Sequence, residues 1–180
     1  MNVFRRLLHR PALPDGVVLD TDEHVVAAAA VTGGGQVVVT SRGLWLAGSG
    51  AAPQRLSWHL ISKATWDGGA LAVIPAREVE TVEGAVLIAD EPPLRVRLAE
   101  PGRVPEAVHR RVTGSIKSRH HRALPGGGAW FVQRTAAGRD GIVLQVRPDP
   151  GTDADAVRRV AGEVARTIGL SARATPSSEQ

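Results

Sequence analysis

Between Glu23 and Leu98, turn-forming residues interrupt the chain at short intervals, and between them apolar side chains alternate with polar ones. A period of two puts successive side chains on opposite faces of an extended strand, so this stretch reads as short strands and tight turns. Strands are expected over 23–31, 36–40 and 43–47, with turns at 32–35 and at Ser41-Arg42. Leu56, Trp58 and Leu60 alternate with Arg55, Ser57 and His59, and Ala64 and Trp66 alternate with Lys63, Thr65 and Asp67. Gly68-Gly69 reads as a hairpin turn into 70–74. Residues 82–89 form another expected strand, and Leu94, Val96 and Leu98 mark the last. Seven or eight strands joined in antiparallel meander fashion suggest a sandwich or small barrel.

The period then changes. Pro101-Gly102 ends the last strand, and Pro105 suits the first turn of a helix. Val104, Val108, Val112 and Ile116 recur every four residues, which predicts an amphipathic helix reaching about residue 118. Its polar face carries Glu106, His109, Arg110, Thr113 and Lys117. Such a helix can close the open end of a barrel. Residues 124–128 (LPGGG) read as a flexible break, followed by a hairpin of 129–135 and 141–147 with its turn at 136–140. Thr152 and Asp155 fit a capping box for a second helix, with Asp153 adding negative charge at its start. Val157, Val160, Ala161, Val164 and Ile168 form its apolar stripe, and Gly169 is a natural stop. The expected fold class is α+β: an antiparallel barrel or sandwich of seven or eight strands capped by a helix, then a β-hairpin and a C-terminal helix. The divisions are an N-terminal segment 1–22, the capped barrel 23–118, the hairpin-helix extension 119–170 and a loose tail 171–180.

Three stretches carry a resemblance. QVVVTSRGLWLAG (36–48) is similar to the second and third strands of bacterial pleckstrin-homology-like domains. LSWHLISKATWD (56–67) resembles the stretch where a tryptophan-bearing strand turns into the next. RVRLAEPGRVPEAVHRRVTGSI (95–116) resembles the last strand and capping helix in a family of such proteins from GC-rich bacteria, actinobacterial in type. The resemblance covers about half the chain and implies the barrel fold. It brings no activity with it.

Composition excludes several classes of chemistry. The chain has no cysteine, so disulfides, thiolate metal sites and a cysteine nucleophile are ruled out. The sequence pI is about 10.8, although the formal net charge is only +4. Twenty of the 22 basic residues are arginines, and no tyrosine or cysteine is present to titrate, so the high pI reflects missing titrators. The distribution of charge is more informative. Residues 1–100 carry nine basic and eleven acidic side chains, residues 101–151 carry nine and three, and residues 152–180 carry four of each. Met1–Arg10 has no apolar run suited to a signal peptide, and no stretch reaches the roughly 20 apolar residues that span a bilayer. A cytoplasmic location is the expectation. Phe4, Leu7 and Leu8 could share one side of an N-terminal turn.

Catalytic patterns are weak. The glycine runs 33–35 and 126–128 lie between expected strands, whereas a phosphate cradle leads into a helix N-terminus. No serine occupies a G-x-S-x-G elbow. Asp90-Glu91, and Asp20 with Asp22 and Glu23, read as turn carboxylates. His109, His120 and His121 are the nearest approach to a metal site, but adjacent histidines point apart and no carboxylate lies between Glu106 and Asp140. No metal or cofactor is expected. His59 reads as a surface residue, Trp58 and Trp66 as core, and Trp45 as core or rim.

The segment 109–122 (HRRVTGSIKSRHHR) is the best candidate site. Arg110, Arg111, Lys117, Arg119, His120 and Arg122 are its binding candidates. Arg110 and Lys117 would share a face of the predicted helix, and Arg119 to Arg122 would fan out from its C-terminal end, where cations are favoured. Guanidinium forks suit carboxylates and phosphates. A solvated basic face, an acidic protein partner, nucleic acid and anionic lipid are the open readings, in that order. No interleaved aromatics support the nucleic-acid case, because Trp130 and Phe131 would point to opposite faces of their strand. The expected function is a non-enzymatic binding or scaffold module acting through protein contacts, with a nucleic-acid-associated role as the alternative.

Overall fold

The structure is a computed structural model that describes residues 12–137 and 141–170. The fold is α+β, with two sheets and two helices among the described residues. Strands β1 (Val25–Ala30), β2 (Gln36–Thr40), β3 (Gly43–Ala47) and β4 (Gln54–Ser57) form a four-stranded antiparallel sheet in chain order. A 3-10 turn at Trp58–Leu60 leads into β5 (Ile61–Asp67), followed by β6 (Ala70–Val82), β7 (Ala85–Asp90) and β8 (Leu94–Arg97). Helix α1 (Val104–Gly114) precedes β9 (Ile116–Leu124), β10 (Gly127–Thr135) and β11 (Ile142–Pro148), and helix α2 (Ala154–Thr167) ends the described chain. The second sheet runs β5-β6-β7-β11-β10-β9, with β8 also on β6.

The uninterrupted apolar run of β2 has a simple cause: both of its faces are covered. Val37 and Val39 join Leu44, Trp58, Ile61 and Leu98 in one core, while Val38 packs with Trp45 and Val17 on the other side. Helix α1 adds Val104, Val108 and Val112 to the first core, and Leu94 and Val96 pack against it. The valine stripe of α1 therefore meets β8 in the core, as its period requires. A buried polar cluster holds the N-terminal approach. The Glu23 carboxylate accepts from the Thr40 hydroxyl and from the Asp20 amide at 2.9 Å, and Trp58 Nε1 donates to the Thr40 carbonyl at 3.1 Å.

Strand β6 is long because it serves two neighbourhoods. Its first half, through Pro75, pairs with β5 and β8, and its second half, from Ala76 on, pairs with β7 across a register shift between Glu78 and Glu80. The turn that follows is Glu83-Gly84, with φ of 51° and 88°, the two-residue geometry that matches strand twist. The expected strand 82–89 is thus the end of one strand, a turn and the start of another. β11 then pairs in parallel with β7, so the hairpin after α1 continues the sheet. α2 covers one face of it, with Val157, Val160, Ala161 and Ala165 against Ala85, Leu87, Phe131, Leu144 and Val146.

Several local expectations are corrected. Helix α1 stops at Gly114, not near 118, and Ile116 starts a strand paired with β10. Gly114 and Ser115 are poor helix formers, and pairing with β10 supplies the hydrogen bonds that another helical turn would have made. Residues 124–128 are no flexible break, because Leu124 pairs with Gly127 and Pro125-Gly126 is a tight turn. The cap of α2 is Asp153, whose carboxylate accepts from the Ala156 amide at 2.7 Å; Thr152 bonds Gly128 instead. Leu56 to Leu60 do not continue one strand, because the 3-10 turn breaks the alternation and buries His59 beside Trp58. Trp66 stands 39% exposed near the end of β5, rather than in the core. Gly169 ends α2 with φ of 74°, as expected. The N-terminal turn around Phe4 and the tail 171–180 lie outside the described residues, as do 138–140 of the hairpin turn. No helix among the described residues is long and apolar enough to cross a membrane.

Candidate functional site: a basic cleft beside the first helix

Helix α1 buries its valine stripe, which turns its polar residues outward along one flank. There Arg103, Arg110 and Arg111 border a cleft of about 380 Å³ whose apolar lining includes Val26, Trp58, Ala107 and Ala136. Arg110 is exposed and pairs with Glu106 one turn earlier, and Arg111 is half-buried. No carboxylate among the described residues pairs with Arg103 or Arg111. Three guanidinium groups and one carboxylate thus face an apolar floor. Trp58 forms part of that floor and is held by its bond to the Thr40 carbonyl.

The remaining basic candidates sit on β9, an edge strand of the second sheet. Lys117 is exposed at a bulge between the pairs Ser118–Gln133 and Ile116–Arg134. It shares no helix face with Arg110. The pleat divides the rest. His120 and Arg122 stand opposite Phe131 and Ala129, on the α2 side of the sheet. Arg119 and His121 stand opposite Val132 and Trp130, on the other side. Arg119 lies over the Trp130 ring at 5.9 Å, while His121 tilts against it at 5.0 Å and bonds Asp149 at 2.7 Å. The six candidates therefore form two groups, one on α1 and one spread over both faces of β9. His109, His120 and His121 do not converge, and no group of three or more His, Cys, Asp or Glu suited to a metal occurs among the described residues.

Sequence reasoning missed Arg103, Arg134 and Arg147. Arg103 precedes the predicted helix and sits just outside the basic segment. Arg134 follows Trp130 and Val132 at a spacing of two, so it shares their sheet face, and Arg147 pairs with Trp130 across the hairpin. That register was readable once the hairpin was drawn. The burial of Arg134, at 5% exposure, was not. Burial pulls the Arg134 guanidinium below its ordinary pKa, and the nearby Arg147 charge adds to the effect. An arginine stays protonated through such a shift, so the site stores uncompensated positive charge.

No family model, curated protein or solved structure matches this chain.

Proposed function

We propose that the chain is a non-enzymatic binding module acting through protein-protein contacts, and that its docking surface is the α1 cleft. The partner would offer an extended acidic segment with one apolar side chain. The observation that carries this is the pairing of three arginines with an apolar floor around Trp58. Guanidinium forks bond carboxylates in pairs, and charge complementarity speeds encounter and selects partners. The floor supplies the desolvated anchor that charge alone does not.

The kinship to pleckstrin-homology-like domains belongs to the same proposal. Its support is the run of four strands followed by β5, β6 and β8, the bridge from Val31 to Leu98 that links β1 to the end of β8, and α1 seated on the core between them.

The test is selection from a library of short peptides rich in Asp and Glu, followed by fluorescence anisotropy. Wild type should bind peptides with acidic residues flanking an apolar one. Arg110→Glu with Arg111→Glu should abolish that binding, and Lys117→Glu, outside the cleft, should leave it. The double variant faces Glu106 with a like charge one turn away, a cost of about 0.5 kcal/mol, so it should remain folded by circular dichroism. Equal peptide binding by the double variant would overturn the proposal. Preferential binding of DNA or RNA, falling steeply with salt and lost in the same variant, would establish the nucleic-acid role in its place.

A further inference from the structure

On the sheet face away from α2, β9, β10 and β11 bring three arginines to one small cavity of about 110 Å³. Arg119 and Arg147 stand at its rim, and Arg134 lies in its floor beside Gln145. Gln145 is 1% exposed and donates to the His59 carbonyl at 2.7 Å, which holds its amide in place. Arg134 donates through Nη1 to the carbonyls of Trp58 and Ile61, at 3.2 Å each, while its Nε is buried with no partner. The protein thus offers this guanidinium fewer acceptors than it has donors. No carboxylate lines the cavity. Asp90 lies beside it, accepting from Arg147 Nη1 at 3.1 Å and from the Ser62 hydroxyl at 2.5 Å. Three arginines line the cavity and no carboxylate does, so the lining is positively charged in a partly dry site where repulsion is poorly screened.

We infer that this cavity binds a phosphoryl dianion, either free phosphate or the phosphoryl group of a small phosphomonoester. A doubly charged tetrahedral oxyanion suits a lining of three arginines with no carboxylate, and the cavity has room for one such group rather than for a nucleotide. Arg119 and Arg147 close on it from the rim as paired forks, while Arg134 supplies fixed positive charge from below. Trp130 lines the same cavity and would flank the organic part of an ester. This site shares no residue with the α1 cleft.

Isothermal titration with inorganic phosphate at pH 8 tests the inference, with phenyl phosphate and acetate in parallel. Saturable phosphate binding is expected, with acetate much weaker. Arg119→Gln and Arg147→Gln should each weaken it by at least about tenfold. Arg119 is exposed, so its variant should melt with wild type and separate lost binding from lost fold. The double variant Arg110→Glu, Arg111→Glu should bind phosphate as wild type does, since its charges lie elsewhere. Tighter binding of phenyl phosphate would identify an ester as the ligand, and equal or weaker binding would identify free phosphate. No saturable binding at millimolar phosphate would overturn the inference. So would equal loss in the α1 variant, or acetate binding as tightly as phosphate.

Discussion

Replacing Val108 with aspartate tests how α1 is held to the core beneath it. Val108 is wholly buried on the middle turn of the helix, in one cluster with Val104, Val112, Leu44, Trp58 and Leu98. Removing its two methyl groups costs about 1.6 kcal/mol in transfer terms, and the space left behind brings this to about 2 kcal/mol. A carboxyl group with no hydrogen-bond partner adds about 1–3 kcal/mol even when neutral, and more when charged. The total is about 3–5 kcal/mol against a whole stability of about 5–15 kcal/mol. For a chain of this size, each kcal/mol lowers the melting temperature by about 2–4 °C, so a fall of at least about 6 °C is expected. The loss depends on pH in a definite direction. Burial raises the folded-state pKa of the introduced carboxyl above its unfolded value of about 3.9. The variant is therefore closest to wild type below that unfolded value, and it loses ground as pH rises through the folded one. Thermal melts followed by circular dichroism at acid and neutral pH read both effects. Val18→Asp, at a position 74% exposed, is the control and should stay within about 0.5 kcal/mol. If Val108→Asp melts within about two degrees of wild type, α1 is not packed as described.

Two glycines separate steric from conformational cost. Gly33 and Gly35 have φ of 94° and 92°, but a β-carbon on Gly33 meets nothing within 4 Å, whereas one on Gly35 would overlap the Ala47 carbonyl and lie 2.9 Å from the Gly48 Cα. Gly33→Ala should cost about 1–2 kcal/mol and Gly35→Ala clearly more, because the β2–β3 backbones must part; equal urea midpoints would refute this. Asp20 accepts a hydrogen bond from Arg55 at 2.8 Å, and that bond and charge hold its carboxyl below its ordinary pKa. A depressed folded pKa gives stability that is present above the unfolded value and lost as pH falls through the folded one. Asp20→Asn should therefore be less stable than wild type at neutral pH and converge with it in acid, as urea midpoints at both pH values will record.

The separation of the six basic candidates shows where sequence reasoning stops. Val104, Val108 and Val112 announce a helix by spacing, and Ile116 continues that spacing although it belongs to a strand. The deciding term is the pairing of Ile116 with Arg134, eighteen positions along the chain, which no local window contains. The positive bias of residues 101–151 was legible as composition, but its division into an α1 cleft and two faces of β9 follows from the pleat and the register. His59 shows the same limit: alternation sent it outward, and the 3-10 turn buried it.

What the sequence determined by itself is everything governed by neighbouring residues. Gly68-Gly69 turns the chain between β5 and β6, Gly169 stops α2, and the bounds of β2 and β3 follow from their flanking turns. The helix stripe matches its core because a period near 3.6 leaves one face apolar whatever it meets. Tertiary structure decided the parallel pairing of β11 with β7, the two-part use of β6, and the meeting of Arg119, Arg134 and Arg147. These depend on contacts between distant segments, and their energy comes from backbone pairing and shared burial that appear only when both segments are in place.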